Sequence, residues 1–326
     1  FDFQEMLSEL LGELNGSHTG ARYQYRSGLN TGTFGVIYDN TYEGDGLKIK
    51  EIIKGGTLYV ADPEIKEGDI ITAINGVEIK AGSDWHELLR MKGGKKILIS
   101  VKKGGKKPVD MYVEPAFTDQ VNLYKRWVRQ REEMVRKLSG GRIGYVHVEG
   151  MDSESFRTVF SDMLGKYRAC EAIIVDTRHN GGGWLHDDLA TLLDGQGYIR
   201  FEPRGQYIGT EPYNKWTKPS CVLIGEDNYS DACGFPYVYK TLGIGKLIGA
   251  PVPGTMTAVW WENQIDPSIV FGIPQVGAIG VKEGRYLENM QIEPDILVYN
   301  DPASVLRGED RQLEAAVKEM LKTIEK

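Results

Sequence analysis

The sequence predicts an α/β core with a small β-rich domain set into it behind an N-terminal helix. Three observations predict it. From Gly141 to the end, short apolar runs alternate with helix-patterned segments, which argues a largely parallel sheet. Between Phe34 and Pro115 the texture changes to β-branched runs separated by glycine-rich turns. Ahead of both, Phe3, Met6, Leu7, Leu10, Leu11 and Leu14 fall near helical spacing.

The first helix, Phe1 to Leu14, is ended by Asn15-Gly16, and Ser17-His18 follows on or just after that turn. Ala21 to Asn40 is strand-like and punctuated by glycine. In the β-rich region Leu47–Ile53 and Asp69–Ile74 read as strands, and Asn75-Gly76 between apolar runs signals a hairpin. A short helix, Ser83 to Met91, has Ser83 as a candidate N-cap. Two strands, Lys96–Val101 and Asp110–Glu114, flank a Lys/Gly hairpin. Asn122 to Leu138 is a charged connecting helix. In the α/β part, Ile143–Val148, Ala172–Asp176, Ser220–Ile224 and Lys246–Gly249 read as strands. Ser153–Tyr167, Trp184–Leu193 and Asp231–Leu242 read as helices. The domain bounds that follow are 1–33, 34–116, 117–140 and 141–326.

With 41% hydrophobic and 26% charged residues, the 326-residue chain has ordinary globular composition and length for two or three cored units. Its net charge of -7 is the wrong sign for a general nucleic-acid binder. The three cysteines, Cys170, Cys221 and Cys233, give neither a disulfide framework nor a metal-type pair. No apolar run approaches the roughly 18 residues of a membrane span. Phe1 is preceded by no Met and followed by no signal-peptide pattern, so the chain reads as a piece of a longer polypeptide. That leaves cytoplasmic and extracytoplasmic or periplasmic locations open.

Four constellations carry chemistry. Asp176-Thr-Arg-His-Asn-Gly-Gly-Gly183 takes a buried strand into a glycine turn and then a helix; its backbone N–H groups can hold an anion. It is neither a dinucleotide fingerprint nor a P-loop. Gly225-Glu-Asp-Asn-Tyr-Ser-Asp231 repeats the strand–turn–helix logic, with Ser230 at the turn as a candidate nucleophile or, more plainly, a helix N-cap. The N–H of Asp231 would lie beside it. Of the five histidines, His18, His179 and His186 are the candidates for its base. Glu288-Asn289 and Glu293-Pro-Asp295 supply acids that could orient such a pair.

Taken in order, these segments resemble the C-terminal half of the tricorn-type serine peptidases, a branch of the C-terminal processing peptidase clan. The matching features are Asn15-Gly-Ser-His18 after a helix, a PDZ-like insertion, the Arg178–Gly183 turn, Ser230-Asp231, and Glu288-Asn289 before Glu293-Pro-Asp295. The resemblance implies a crotonase-like spiral of β-sheet and helices with an inserted PDZ domain. It implies hydrolysis of peptides or unfolded polypeptides by Ser230, with His18 as base, without metal or organic cofactor. It further implies that Ser17 and Glu288 orient the site, and that the N–H of Asp231 with that of Gly182 or Gly183 forms the oxyanion hole. Relatives assemble into oligomers, which implies a possible homo-oligomer. A related branch pairs its serine with a lysine; Ile248-Gly-Ala-Pro-Val-Pro-Gly254 has none, which favours the histidine branch.

The PDZ likeness implies a peptide added as a strand. The candidates are Gly44 and Gly46 for a terminal-carboxylate nest, Leu47 to Ile49 for the strand and His86 on the helix. Glu202 is a candidate for basic P1 preference, against its reading as a solvated loop acid. The competing functions are an inactive peptide-binding scaffold and a crotonase-type acyl-transfer enzyme.

Overall fold

The computed structural model describes residues 1–24 and 30–325. The chain divides into two compact units, residues 1–25 with 131–326, and residues 26–130. Part of the glycine-punctuated stretch from Ala21 to Asn40 falls on residues 25–29, which lie outside the described residues.

The first unit opens with α1 (Asp2–Gly12) and β1 (Gly20–Tyr23). Of the apolar stripe on α1 only Leu11 is buried; Phe3, Met6, Leu10 and Leu14 are exposed. The helix stops where Asn15 turns to φ 48°.

The second unit is a twisted sheet of β2 (Val36–Tyr38), β3 (Leu47–Ile52), β4 (Ile70–Ile74), β5 (Val77–Glu78), β6 (Ile97–Lys102) and β7 (Val109–Val113). The order is β2-β3-β4-β6-β7, with β5 folded back on β4. Asn75 (φ 49°) and Gly76 (φ 78°) make the tight turn between β4 and β5, as that dipeptide dictates. Inward residues Ile49, Ile71, Ile74, Ile99 and Val101 form the core. The helix α2 is a single turn, His86–Leu89. Ser83 does not cap it: its hydroxyl donates to the Lys80 carbonyl instead (2.7 Å). The long helix α3 (Gln120–Ser139) begins in this unit and ends in the first.

The first unit resumes with β8 (Ile143–His147), α4 (Ser153–Ser161), β9 (Ala172–Asp176), α5 (His186–Leu193), the exposed hairpin β10 (Ile199–Phe201) and β11 (Gly209–Glu211), β12 (Ser220–Ile224), α6 (Asp231–Leu242) and β13 (Lys246–Gly249). After short strands β14 (Thr257–Ala258), β15 (Glu262–Asn263), β16 (Ile269–Gly272), β17 (Val276–Gly277) and β18 (Ile296–Leu297), the chain ends in α7 (Pro302–Leu306) and α8 (Arg311–Ile324). The central sheet is fully parallel, in the order β18-β13-β12-β9-β8. Every residue of β8, β9 and β12 is buried. That is why these strands read as unbroken apolar runs: a parallel sheet is covered on both faces. Met163, Leu189, Phe235 and Tyr239 pack on the sheet from one cluster, and α8 buries Leu313, Ala316, Val317 and Met320.

In the register of this sheet Leu223 lies beside Asp176. The carboxyl ends of β9 and β12 therefore leave the sheet side by side, and the glycine turn and the Ser230 turn are neighbours. This is the edge at which open α/β sheets hold ligands.

Candidate active site

A buried ion cluster fixes the glycine turn. Asp176 is completely buried and accepts Nε (2.9 Å) and Nη2 (2.6 Å) of Arg178. Nη1 of Arg178 donates to Asp310 (2.9 Å) and Gln312 (2.9 Å), and Tyr145 donates its hydroxyl to Asp176 (2.8 Å). Burial alone would raise the Asp176 carboxyl; the Arg178 guanidinium outweighs it and holds the pKa at about 2. With its base clamped, the turn is shaped by Asn180, whose Nδ2 donates to the Val148 carbonyl (2.8 Å) and whose Oδ1 accepts from the N–H of Gly182 (2.8 Å).

Gly182, at φ +100°, lies against the second turn: a Cβ there would stand 2.5 Å from the Cβ of Ser230 and 2.7 Å from the Tyr229 carbonyl. Gly183 (φ +143°) bridges to Met151, and its N–H has no hydrogen-bond partner among the described residues. The N–H of Asp231 is equally unclaimed. The Gly182 N–H is spent on Asn180, so Gly183 and Asp231 are the free donors flanking Ser230.

Ser230 stands at φ 55°, ψ -126°, between β12 and α6. For a non-glycine residue that conformation costs on the order of 1–3 kcal/mol. Its N–H donates to Thr255 Oγ1 (2.7 Å), which helps hold it there. Its hydroxyl does not cap α6, so the plain N-cap reading does not describe this serine. The helix capped here is α5, by a side chain from α6. The Asp231 carboxylate accepts the N–H groups of Leu185 (2.5 Å) and His186 (3.0 Å), tying α6 to the start of α5.

His18 and Ser17 meet Glu288 and the segment Thr255–Thr257. Glu288 accepts the N–H of Ser17 (2.5 Å), the hydroxyl of Ser17 (3.1 Å) and the N–H of Met256 (2.6 Å). Thr257 donates its hydroxyl to the Ser17 carbonyl (3.0 Å). Nδ1 of His18 lies 3.0 Å from Ser17 Oγ and 3.1 Å from Thr257 Oγ1. Ser17 Oγ also lies 2.7 Å from Thr257 Oγ1; with the Ser17 proton directed to Glu288 and that of Thr257 to the Ser17 carbonyl, the hydroxyls are left as acceptors for an Nδ1 proton. Nε2 is then the bare lone pair. The N–H of His18 donates to the Tyr229 hydroxyl (2.8 Å), and the two rings lie 4.9 Å apart, beside Ser230 in the chain. Burial lowers the His18 pKa, against the opposing pull of Glu288, so the ring is neutral at neutral pH.

The rival histidines are otherwise engaged. His179 and His186 hold Asp227 and Asp231 through Nδ1, each at 2.5 Å, and these hydrogen bonds raise both pKa values. His147 is buried and donates Nε2–H to the Arg178 carbonyl (2.8 Å). Sequence reasoning missed Tyr229, Thr255 and Thr257. Among the described residues no group of three or more His, Cys, Asp or Glu side chains is placed to hold a metal ion, and no helix is long and apolar enough to cross a membrane.

The other candidates are described by their own surroundings. Glu202 pairs with Arg200 at the exposed β10–β11 hairpin. In the second unit the nest is corrected. The Gly46 N–H donates to the Ile79 carbonyl (2.9 Å), Tyr42 covers Gly44, and Asp45 caps Ala81 (3.0 Å). Leu47–Ile49 is no free edge: Lys48 accepts from Asp39 N–H on one side, and Leu47 and Lys48 pair with β4 on the other. His86 is exposed, stacked on Trp85 at 3.9 Å and bonded to Asp84 (3.1 Å).

The chain resembles the serine peptidases of family S41, whose model matches residues 142–298, and residues 27–102 match the PDZ domain. More particularly, it is 25% identical over 337 residues to the tricorn protease of Thermoplasma volcanium, across 100% of this chain and 32% of that protein. It is 26% identical over 341 residues to a putative tricorn-like protease C-terminal subunit of Sulfurisphaera tokodaii, across 100% of this chain and 39% of that one. A crystal structure of the tricorn protease has the same fold, with a TM-score of 0.82 at 23% identity over 97% of this chain and 32% of that chain. The chain thus spans between 32% and 39% of the length of these relatives.

Proposed function

We propose that the chain is the catalytic part of a serine endopeptidase or oligopeptidase acting on peptides or unfolded polypeptides. Ser230 Oγ attacks the scissile carbonyl carbon and gives its proton to His18 Nε2. The N–H groups of Asp231 and Gly183 receive the oxyanion. His18 then passes the proton to the leaving amine, and water hydrolyses the acyl-enzyme by the same route. Ser17 and Glu288 hold His18 in the tautomer this needs. No step calls for a metal or an organic cofactor. The observation that carries the reading is the Glu288–Ser17–His18 hydrogen-bond chain, which puts the proton on Nδ1 and leaves Nε2 basic.

The finer fold reading, a crotonase-type spiral in the catalytic unit, belongs to this proposal. So does the division into a helical cap (1–33), a PDZ-like domain (34–116), a connecting helix (117–140) and a catalytic domain (141–326). The test is labelling with a fluorophosphonate probe, which reacts only with an activated serine. Labelling that is lost in both Ser230→Ala and His18→Ala is the expected result. Full labelling of folded Ser230→Ala, or of folded His18→Ala, would sink the assignment.

A further inference from the structure

β2 is one of the two edges of the second unit's sheet, β7 being the other. Its inner side pairs with β3, and among the described residues no strand takes its outer side. An unpaired edge is where a chain adds as a further strand. If such a segment runs antiparallel to β2, its C-terminal end arrives at Thr33–Gly35, the loop that opens the strand. There a free terminus would need N–H and O–H donors for its carboxylate.

Two of those donors are already taken. The hydroxyl of Thr33 and the N–H of Gly35 (3.2 Å) both go to Oδ2 of Asp119. The other oxygen, Oδ1, is buried with no partner. Asp119 is not a loose side chain. It stands at the head of α3, which is fastened to the sheet by Asn122 on the Gly55 carbonyl (3.1 Å) and by a two-pronged pair from Arg126 to Glu51 (2.5 and 2.6 Å). The loop is equally fixed: Gly35, at φ +69°, sits so close that a Cβ would stand 2.4 Å from the Cα of Gly56. Thr33 exchanges backbone bonds with Ala116 (2.9 Å). The charge is felt along the strand as well, since Tyr38 on β2 has its phenol pKa raised first by burial and then by Asp119.

We propose that Asp119 is a built-in carboxylate closing the end of this edge, so that the unit docks internal, extended segments of unfolded polypeptide along Val36–Tyr38 and does not read free C-termini. A second carboxylate would find its donors used and a like charge in place. An internal segment brings only neutral peptide groups, which suit the ladder of β2 and the apolar flank where Tyr38 meets Trp85 at 5.1 Å. The inference rests on reading the unit as a peptide-docking module of the proposed peptidase, not on the chemistry of Ser230.

The test is fluorescence anisotropy on the full chain carrying Ser230→Ala, which keeps the probe intact. The probe is a labelled decapeptide of alternating Val and Thr, made once with a free C-terminal carboxylate and once amidated. With Asp119 present, the two forms should bind within about twofold of each other. Adding Asp119→Ala should tighten the acid about tenfold over the amide. A tenfold acid preference with Asp119 in place overturns the inference. So does a folded Asp119→Ala chain without acid preference, and so does failure of both probes to bind. Should Asp119→Ala not fold, Asp119→Asn keeps the acceptor oxygen and removes the charge; an acid preference of about threefold supports the inference, and none overturns it. Because no arm measures cleavage, a failed peptidase assignment and a failed docking assignment give different results.

Discussion

Replacing Gly182 by alanine should disable the candidate site while leaving most of the fold intact. The added Cβ would stand 2.5 Å from the Cβ of Ser230. Carbon atoms in contact rest about 3.5 Å apart or more, so Ser230 must retreat by about 1 Å. The backbone cannot relieve this by turning, because φ +100° already disfavours alanine, at a cost on the order of 1–3 kcal/mol. A displacement of about 1 Å at a nucleophile costs on the order of a hundredfold in rate. The assay is the second-order rate of fluorophosphonate labelling, with thermal unfolding measured in parallel. Gly181→Ala is the matched control, since its Cβ would meet nothing within 4 Å. Labelling of Gly182→Ala at the wild-type rate would refute the argument that the two turns press on each other.

Glu288→Gln removes the negative charge that partly offsets the burial of His18. The His18 pKa already lies below 6.5, and a base must be neutral, so activity is lost as pH falls through that pKa. In the variant that acid limb should move to lower pH while the plateau rate drops; a pH–rate profile of labelling with an unmoved limb would count against the assignment. Arg178→Ala leaves the carboxylates of Asp176 and Asp310 buried without their cation and should cost about 3–5 kcal/mol in denaturant unfolding. In the wild-type protein the Asp176 contribution is full above its ordinary 3.8 and is lost as pH falls toward about 2, so stability should decline over that window. Arg178→Ala should flatten that decline.

Much of the fold was legible because its signals are local. Asn75-Gly76 makes the turn its chemistry demands, and the apolar runs of β9 and β12 declare a sheet covered on both faces. The two turns at the sheet edge could be read from strand–turn–helix order, and that order also sets their neighbouring exit. Thr255 and Thr257 could not be read in the same way: two hydroxyls on an irregular segment have no period and no motif. The choice among His18, His179 and His186 also turned on distant partners, since each ring is defined by the group its Nδ1 meets. The two strands at this end of the second sheet differ in how plainly they read. The run of Leu47–Ile53 gives the stronger strand pattern because β3 lies inside the sheet, whereas the three residues of β2 at the edge leave almost no pattern at all.

Thr255, Met256 and Thr257 hold the Ser230 N–H, the Glu288 carboxylate and the Ser17–His18 pair in turn. The two halves of the proposed proton-transfer pair are thus hung from one three-residue mount, although one comes from position 18 and the other from position 230. A shift of that mount would carry both halves in the same direction. A displacement shared by both would leave the gap between them, on which proton transfer depends steeply, largely unchanged.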